Sequence, residues 1–160
     1  MKLWHIGMAV PDLEKAQHEV GTLWDLKWRP VVTRSLSLTG ADGELYDVDC
    51  NVTFSLGGPF AVELWESIPG TPLETPESGW LHHVGYWVPD FAAEGERLAH
   101  LGHPPVLTRD SLPLLNRGPG GLMVEPCDLH RDQPYLRDLF PPESPHRGEP
   151  VLPQPSGSAR

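Results

Sequence analysis

Two histidines and two glutamates have the types and spacing to do chemistry together. His5 lies in W-H-I-G-M-A-V-P-D and His83 in H-H-V-G-Y-W-V-P-D, and these segments align without a gap at an offset of 78 residues. Glu63 lies in the segment A-V-E-L and Glu125 in the segment M-V-E-P, one after each histidine. Imidazole nitrogens and carboxylate oxygens bind Zn, Fe, Ni, Co or Mn, so the sequence predicts a site for one divalent metal ion.

An internal duplication gives these residues matching positions. His, Gly, Val, Pro and Asp coincide in the two aligned segments, which indicates two copies of one structural unit. In each copy alternating residues predict a strand, proline ends it, and aspartate can cap a following helix. The predicted helices cover residues 13–24 and 91–101. The strands predicted after them cover residues 28–38, 47–56, 60–67, 105–109, 112–116 and 122–127.

Strand alternation predicts the direction of each side chain. Successive residues of a strand point to opposite faces, and this parity puts the two histidines and two glutamates on the face away from the helices. Trp4 and His82 take the helix side, where His82 is expected to be a hydrogen-bonded structural histidine. The predicted fold is α+β: two tandem βαβββ modules form a curved mixed sheet, a cup with the helices outside.

Module boundaries follow from the repeat and from composition. The first module is predicted over residues 1–70, and the second over 79–140 with a short C-terminal helix. Residues 141–160 are rich in proline, serine and glycine and carry few large apolar side chains. Such a segment buries too little surface to offset its ordering entropy, so we expect a disordered tail.

Charge and composition argue against several classes of function. The formal net charge is −10 and no basic run exists, which disfavours nucleic acid as a partner. No apolar run is long enough for a membrane span, and no secretory signal precedes the first predicted strand at Leu3. Cys50 and Cys127 are therefore expected to be free thiols in a reducing cytoplasm.

The motifs resemble those of the vicinal oxygen chelate superfamily, which includes glyoxalase I, methylmalonyl-CoA epimerase, extradiol dioxygenases, fosfomycin resistance enzymes and bleomycin-binding proteins. The resemblance covers residues 3–128 and rests on H-I-G-x-A-V-P-D, A-V-E-L, L-H-H-V-G and M-V-E-P. It implies paired βαβββ modules, often completed in a homodimer. It also implies a set of metal ligands, which are His5, Glu63, His83 and Glu125.

The shared chemistry of that superfamily is chelation of a substrate through neighbouring oxygens. It implies an isomerase, epimerase or lyase that transfers a proton next to a carbonyl group, with Glu125 or Glu63 as the general base. One alternative is a ring-cleaving dioxygenase of the extradiol type, although such enzymes use three protein ligands. Another is a drug-sequestering resistance protein without catalysis.

Residues on the predicted cup face are candidates for binding a small-molecule substrate. These candidates are Trp65, Trp87, Asn51, Thr53 and Met123. Tryptophan is a good platform for flat or cationic ligands, and the rings favour a bulky, weakly charged carbonyl compound. Arg34, Arg109 and Arg117 could bind a carboxylate, although each is more commonly a solvated surface side chain.

Overall fold

The computed structural model describes residues 2–128, which form two βαβββ modules. The elements are β1 (Lys2–Val10), α1 (Leu13–Trp24), β2 (Val32–Gly40), β3 (Leu45–Phe54), β4 (Ala61–Glu66), β5 (Leu81–Val88), α2 (Phe91–His100), β6 (Pro105–Arg109), β7 (Leu112–Arg117) and β8 (Met123–Asp128). This order confirms the predicted fold class. The short C-terminal helix and the tail that the sequence predicts lie outside the described residues.

Both helices begin after the aspartate that the repeat predicts. The side chain of Asp12 accepts a hydrogen bond from the backbone N–H of Lys15, and Asp90 accepts one from Ala93. These N-caps satisfy backbone donors that the first helical turn leaves open. Within residues 2–128, no helix is both long enough and apolar enough to cross a membrane.

The strands close into one curved mixed sheet in the order β1-β4-β3-β2-β6-β7-β8-β5. Within each module the first strand pairs in parallel with the last, β1 with β4 and β5 with β8. The modules meet at two antiparallel junctions, β1 with β5 and β2 with β6. One chain therefore closes the cup, with α1 packed outside on β4 and α2 on β8.

The main hydrophobic core lines the inside of the cup. Its buried side chains include Trp4, Phe54, Trp65, Trp87, Leu107 and Leu115. A second cluster lies between α1 and the outside of the sheet and includes Val20, Val62 and Leu64. A third lies beneath α2 and consists mainly of Tyr86, Val88 and Phe91. The predicted parity is therefore confirmed for β4 and for most of β5.

Two bulges in the β1–β5 junction change the direction of neighbouring side chains. The pairing skips Trp4 in β1 and His82 in β5, the two positions that the repeat aligns. An extra unpaired residue of this kind re-aims its side chain. The prediction that Trp4 faces the helices is wrong, because its ring stacks inside the cup at 5.3 Å from Trp87. His82 likewise packs edge-on against Trp65 of the interior core.

The prediction that Asn51 and Thr53 face the cup is also wrong. Asn51 accepts a hydrogen bond from Thr33 and donates one to Glu66, and Thr53 donates to the backbone carbonyl of Arg29. The cup interior is the hydrophobic core, so the polar stripe of β3 turns outward, where hydroxyl groups of β2 pair with its carboxylates. The side chains of β3 that line the interior cavity are Cys50, Val52 and Phe54.

Candidate metal centre

The four predicted donors converge at the β1–β5 junction. The histidines lie on these two strands, His5 on β1 and His83 on β5. Their parallel partners β4 and β8 contribute Glu63 and Glu125. One donor atom of each residue lies within 4.8 Å of the other three. The duplicated strand pairing therefore brings together residues that are far apart in the sequence.

The separations between donor atoms suit a shared ion. Nε2 of His5 lies 2.8 Å from Nε2 of His83, 3.0 Å from Oε2 of Glu125 and 3.5 Å from Oε2 of Glu63. Nε2 of His83 lies 3.1 Å from the Glu125 oxygen and 3.2 Å from the Glu63 oxygen. Neighbouring ligands at about 2.1 Å from one ion are about 3.0–3.4 Å apart. The observed separations bracket this range.

An unsatisfied atom also indicates that the site fits a cation. Oε2 of Glu63 is buried and makes no hydrogen bond of acceptable geometry, although both imidazoles lie close to it. A buried carboxylate oxygen without a donor is unfavourable, and a divalent ion would compensate it. Two imidazoles and two carboxylates are a donor set that Zn, Fe, Ni, Co and Mn accept.

The two carboxylates of the cluster favour the protonated form of His83, and a bound metal ion would replace that proton. Burial lowers the pKa of His83, but the Glu125 and Glu63 carboxylates outweigh burial and raise this pKa to about 9. Burial opposes ionisation of Glu125, yet hydrogen bonds with His5 and His83 hold its pKa well below the usual range. Burial, followed by the charge on His83, lowers the pKa of His82 to about 4. Metal binding must therefore displace a proton from His83.

Two glycines at equivalent positions of the repeat make room for the imidazoles. A Cβ on Gly7 would lie 1.7 Å from Cε1 of His83, and a Cβ on Gly85 would lie 2.0 Å from Cε1 of His5. Both distances are far below van der Waals contact, so each module supplies the space for the other module's ring. The glycines are visible in the sequence, but this role depends on strand pairing between the modules.

Aromatic side chains hold the imidazoles from the sides. The ring of Trp65 stacks on His83 with centroids 4.7 Å apart, and the ring of Trp4 meets His5 edge-on at 5.5 Å. Phe54 also meets His5 edge-on, at 6.3 Å. The contacts of Trp4 and Phe54 were not predicted. Strand parity placed Trp4 on the helix side, and the apolar residues of β3, which include Phe54, were given no role in the site.

A cavity of about 520 Å³ is lined by three of the four donors, His5, Glu63 and Glu125, and the fourth, His83, is fully buried behind them. This volume suits a small organic molecule. Of the predicted substrate-binding residues, Trp65 lines the cavity, whereas Trp87 stacks behind Trp4 and Met123 packs against the interior core. The wall across from the metal centre includes Arg34, Leu36, Arg109, Pro113 and Leu114. Arg117 is exposed at the end of β7.

The sequence places the chain in a known superfamily. A family model described as the Glyoxalase/Bleomycin resistance protein/Dioxygenase superfamily matches residues 4–111, and the chain belongs to this superfamily. The resemblance inferred from the motifs is therefore confirmed. No curated protein matches the chain.

A comparison with solved structures finds proteins from several bacteria. Methylmalonyl-CoA epimerase from Mycobacterium tuberculosis aligns with a TM-score of 0.50 and 16% identity over 79% of this chain and 87% of that one. A hypothetical protein from Bacillus halodurans C-125 gives 0.48 and 17% over 79% and 93%. Fosfomycin resistance protein FosX from Mesorhizobium loti gives 0.24 and 19% over 76% and 86%. At these identities the epimerase shows the fold alone.

Proposed function

We propose that the protein is a metal-dependent isomerase, epimerase or lyase that transfers a proton next to the carbonyl group of a small substrate. The observation that carries this proposal is the convergence of two imidazoles and two carboxylates within 4.8 Å at the wall of a cavity. His5, Glu63, His83 and Glu125 would hold one divalent ion. When bound, that ion would supply Lewis-acid polarisation of the substrate's oxygens.

Glu125 is the better placed of the two glutamates to move the proton. Its side chain is 20% exposed, whereas that of Glu63 is 9% exposed, and both line the cavity. Its low pKa comes from hydrogen bonds with His5 and His83. A swing of this carboxylate toward the cavity would take it away from both imidazoles and restore its basicity.

Trp65 would orient the substrate beside the metal centre. Its ring lies on the cavity wall, and its Nε1 is buried without a hydrogen-bond partner among the described residues. A buried indole N–H is normally paired, and a substrate oxygen would provide the missing acceptor. The apolar rings of Trp4 and Phe54 on the same wall would limit the access of water to the reacting carbon.

The proposed compartment and assembly are the cytoplasm and a homodimer. Cys50 and Cys127 are both free and buried, which suits a reducing compartment. All four donors come from one chain, so the site does not need a second copy to complete it. Size-exclusion chromatography with light scattering tests the homodimer directly.

Proton–deuterium exchange next to a carbonyl tests the proposed reaction. Protein reconstituted with each candidate metal would be mixed with a panel of carbonyl compounds in D₂O and followed by NMR. We expect Glu125→Gln to slow exchange by about 10²–10⁴-fold, because the amide cannot take up the proton. Glu66→Gln is the matched control, since Glu66 lies outside the cup and binds Asn51. Equal exchange rates for wild type and Glu125→Gln would contradict the proposal.

The same panel separates the other two functions. Consumption of dioxygen with a catechol would identify a ring-cleaving dioxygenase, which the second carboxylate of the donor set disfavours. Binding of a bulky drug with equal affinity before and after removal of the metal would identify a sequestering protein. The aromatic cavity is compatible with sequestration, but such a protein has no need of four converging donors.

A further inference from the structure

We infer that the cavity has a second pole that binds a carboxylate, and that the substrate carries this group at the end remote from its reacting carbonyl. Arg34 of β2 and Arg109 of β6 both lie on the cavity wall. The inference rests on the proposed function, since it names the substrate class of the same cavity.

The closed strand order sets the two poles on opposite sides of the cup. The metal donors come from four consecutive strands of the closed order, β4, β1, β5 and β8. The remaining four strands form the opposite wall, and β2 and β6 are the middle pair of that wall. A ligand that reaches both poles must therefore span the cavity.

Strand register places both arginines on the inner face of the sheet. Arg34 pairs with Cys50, and Arg109 pairs with Leu38. Directly opposed residues of an antiparallel pair share one face, and both of these partners belong to the interior core. The two half-buried guanidinium groups therefore belong to the inside of the cup and not to its solvated outer surface.

Charge and shape at this pole favour an anion with two oxygens. A guanidinium group keeps its charge at every physiological pH, and its planar fork matches a carboxylate. In the described part of the chain, no carboxylate forms an ion pair with Arg109. Much of the remaining cavity wall is apolar and includes Leu36, Val52, Phe54 and Leu114. The cavity thus fits a molecule with a carbonyl group at one end, an apolar or aromatic body and a carboxylate at the other end. This substrate class is narrower than the bulky, weakly charged carbonyl compounds that the tryptophans alone favour.

Binding to the metal-free protein tests the second pole by itself. The probes are 3-phenylpropionate and its neutral amide, which differ in charge and share one body, with affinity measured by calorimetry. Without an ion the centre offers no Lewis acid to the probe's carboxylate, and the arginine variants show which end of the cavity it occupies, so the metal chemistry and this pole can fail separately. We expect the acid to bind at least about tenfold more tightly than the amide, because a charge-assisted pair is stronger than a neutral one.

Substitution then locates the binding. Arg34→Gln and Arg109→Gln should each weaken binding of 3-phenylpropionate at least about tenfold and leave the affinity for the amide unchanged. Arg117→Gln is the matched control, because Arg117 is exposed and should leave both affinities unchanged. The inference is overturned if the acid does not bind at millimolar concentration, if acid and amide bind equally, or if both arginine variants bind the acid as the wild type does.

A separate observation concerns His82, and we infer that this residue positions the proton of His83. Nε2 of His82 lies 2.8 Å from the carbonyl oxygen of Pro72, and its Nδ1 lies 3.3 Å from Nδ1 of His83. A carbonyl oxygen only accepts, so Nε2 of His82 carries the hydrogen. Nδ1 of His82 can then accept from the Nδ1–H of His83, so the proton that a metal ion displaces is the one on Nε2, and the lone pair of neutral His83 lies on Nε2.

That lone pair faces the other three donors. Nε2 of His83 is the atom that lies within 3.2 Å of both glutamates and 2.8 Å from His5. A metal ligand needs its lone pair on the ligating nitrogen, and a hydrogen bond on the other ring nitrogen commonly fixes this arrangement. His82 acts through His83 and is therefore a positioning residue. Its place in a bulge brings two consecutive histidines of β5 into contact.

Nitrogen-15 NMR and zinc affinity test this role. Long-range proton–nitrogen spectra of the zinc-loaded protein should show hydrogen on Nε2 of His82 and on Nδ1 of His83. His82→Phe should weaken zinc binding by about 10–100-fold, because it removes the acceptor. His82→Asn should restore most of the affinity, since its Oδ1 can replace the acceptor. A hydrogen on Nε2 of His83, or unchanged zinc affinity in a folded His82→Phe variant, would overturn the inference.

Discussion

The two junctions between the modules are built differently. At the β1–β5 junction the pairing extends from Lys2 to Met8, two bulges bring extra rings inside, and two glycines admit the imidazoles. At the β2–β6 junction the pairing covers only the stretch from Leu38 to Gly40. The first junction brings Nε2 of His5 and Nε2 of His83 within 2.8 Å of each other. The second forms a short seam beside the wall that would recognise a substrate.

This difference indicates how precision is distributed in the molecule. A metal centre depends on donor positions that are correct within a fraction of an ångström, so the strands that carry it are tightly interlocked. A wall that recognises the remote end of a ligand tolerates more variation. The two halves of the duplication are therefore alike where they would hold an ion and can differ where they would contact a substrate.

Disruption of the β1–β5 junction should have the largest effect. Gly85→Ala would place a Cβ 2.0 Å from Cε1 of His5, so the ring must leave its position. We expect loss of stoichiometric metal and of activity, and a decrease of about 1–3 kcal/mol in the free energy of unfolding. Metal analysis after dialysis and urea unfolding measure the two effects.

Gly95→Ala is the matched control for that substitution. A Cβ at Gly95 in α2 would lie 3.6 Å from Pro113, which is ordinary contact. Alanine also favours the helix by about 0.5–1 kcal/mol relative to glycine. This variant should bind metal normally and be at least as stable as the wild type. Normal metal content in Gly85→Ala would contradict the account of the interlocked junction.

A cavity at the β2–β6 junction should separate stability from metal binding. Leu107 is fully buried beside Gly40, its partner in β2. We expect Leu107→Ala to reduce the free energy of unfolding by about 2–5 kcal/mol, because a buried side chain is lost and a cavity remains. Zinc affinity of the folded protein should change little. A zinc affinity that falls as far as in Gly85→Ala would show that the junctions are not independent.

A metal ion and a proton should compete for His83 at the β1–β5 junction. His83 has a pKa raised to about 9 in the metal-free protein, from an ordinary value of 6.5. A raised pKa contributes stability that is complete below pH 6.5 and is lost as the pH rises toward 9. The metal-bound protein lacks this proton, so stabilisation by zinc should increase over this range. Urea unfolding at a series of pH values, with and without zinc, measures it, and a constant difference would contradict it.

The magnitude of the zinc effect follows from mass action. At a free zinc concentration about 100 times the dissociation constant, the folded state should gain about 2.7 kcal/mol. The Glu125→Gln protein should gain less at the same zinc concentration, because one ligand has lost its charge. An equal increase in the free energy of unfolding in both proteins would show that Glu125 is not a ligand.

A change on the helix side of the sheet, away from the cup interior, should have the smallest effect. The hydroxyl of Tyr86 donates to Glu94 of α2 at 2.5 Å. Tyr86→Phe should reduce the free energy of unfolding by about 1 kcal/mol and leave zinc affinity unchanged. Hydrogen bonds from Arg97 first, and then from Tyr86, lower the pKa of Glu94. The effect of the substitution should therefore be present at neutral pH and disappear as acid protonates Glu94. If the decrease in the free energy of unfolding persists in acid, it comes from altered packing and not from the lost hydrogen bond.

Local sequence signals predicted the bounds of the elements closely where capping or terminating residues mark both ends. The helix at 13–24 and the strand at 105–109 coincide with the observed elements, since aspartate caps, proline and glycine mark their ends. The strand predicted at 28–38 instead covers Val32–Gly40. Trp28 forms only an isolated bridge with Ser55, so its β propensity did not extend the strand.

The repeat predicted the four donors, but long-range pairing decided their surroundings. A bulge adds one residue without a distinctive sequence signal, so Trp4 was assigned to the wrong face. Parity separates the two stripes of β3 but does not say which stripe is inside, and Asn51 and Thr53 were assigned to the cup on that basis. The apolar side chains of β3 face the interior because burial of apolar surface dominates folding. Contacts of Gly7 and Gly85 depend on strands 78 residues apart and were not predictable from either segment alone.

X-ray absorption of the zinc-loaded protein tests the central claim most directly. We expect one zinc ion per chain in a shell of nitrogen and oxygen at about 2.0–2.2 Å, with the scattering pattern of two imidazoles. Cys50 and Cys127 line the same cavity, and their thiolates would give sulfur at about 2.3 Å. A sulfur shell, or a protein that binds no zinc, would contradict the assignment of His5, Glu63, His83 and Glu125 as ligands of one ion.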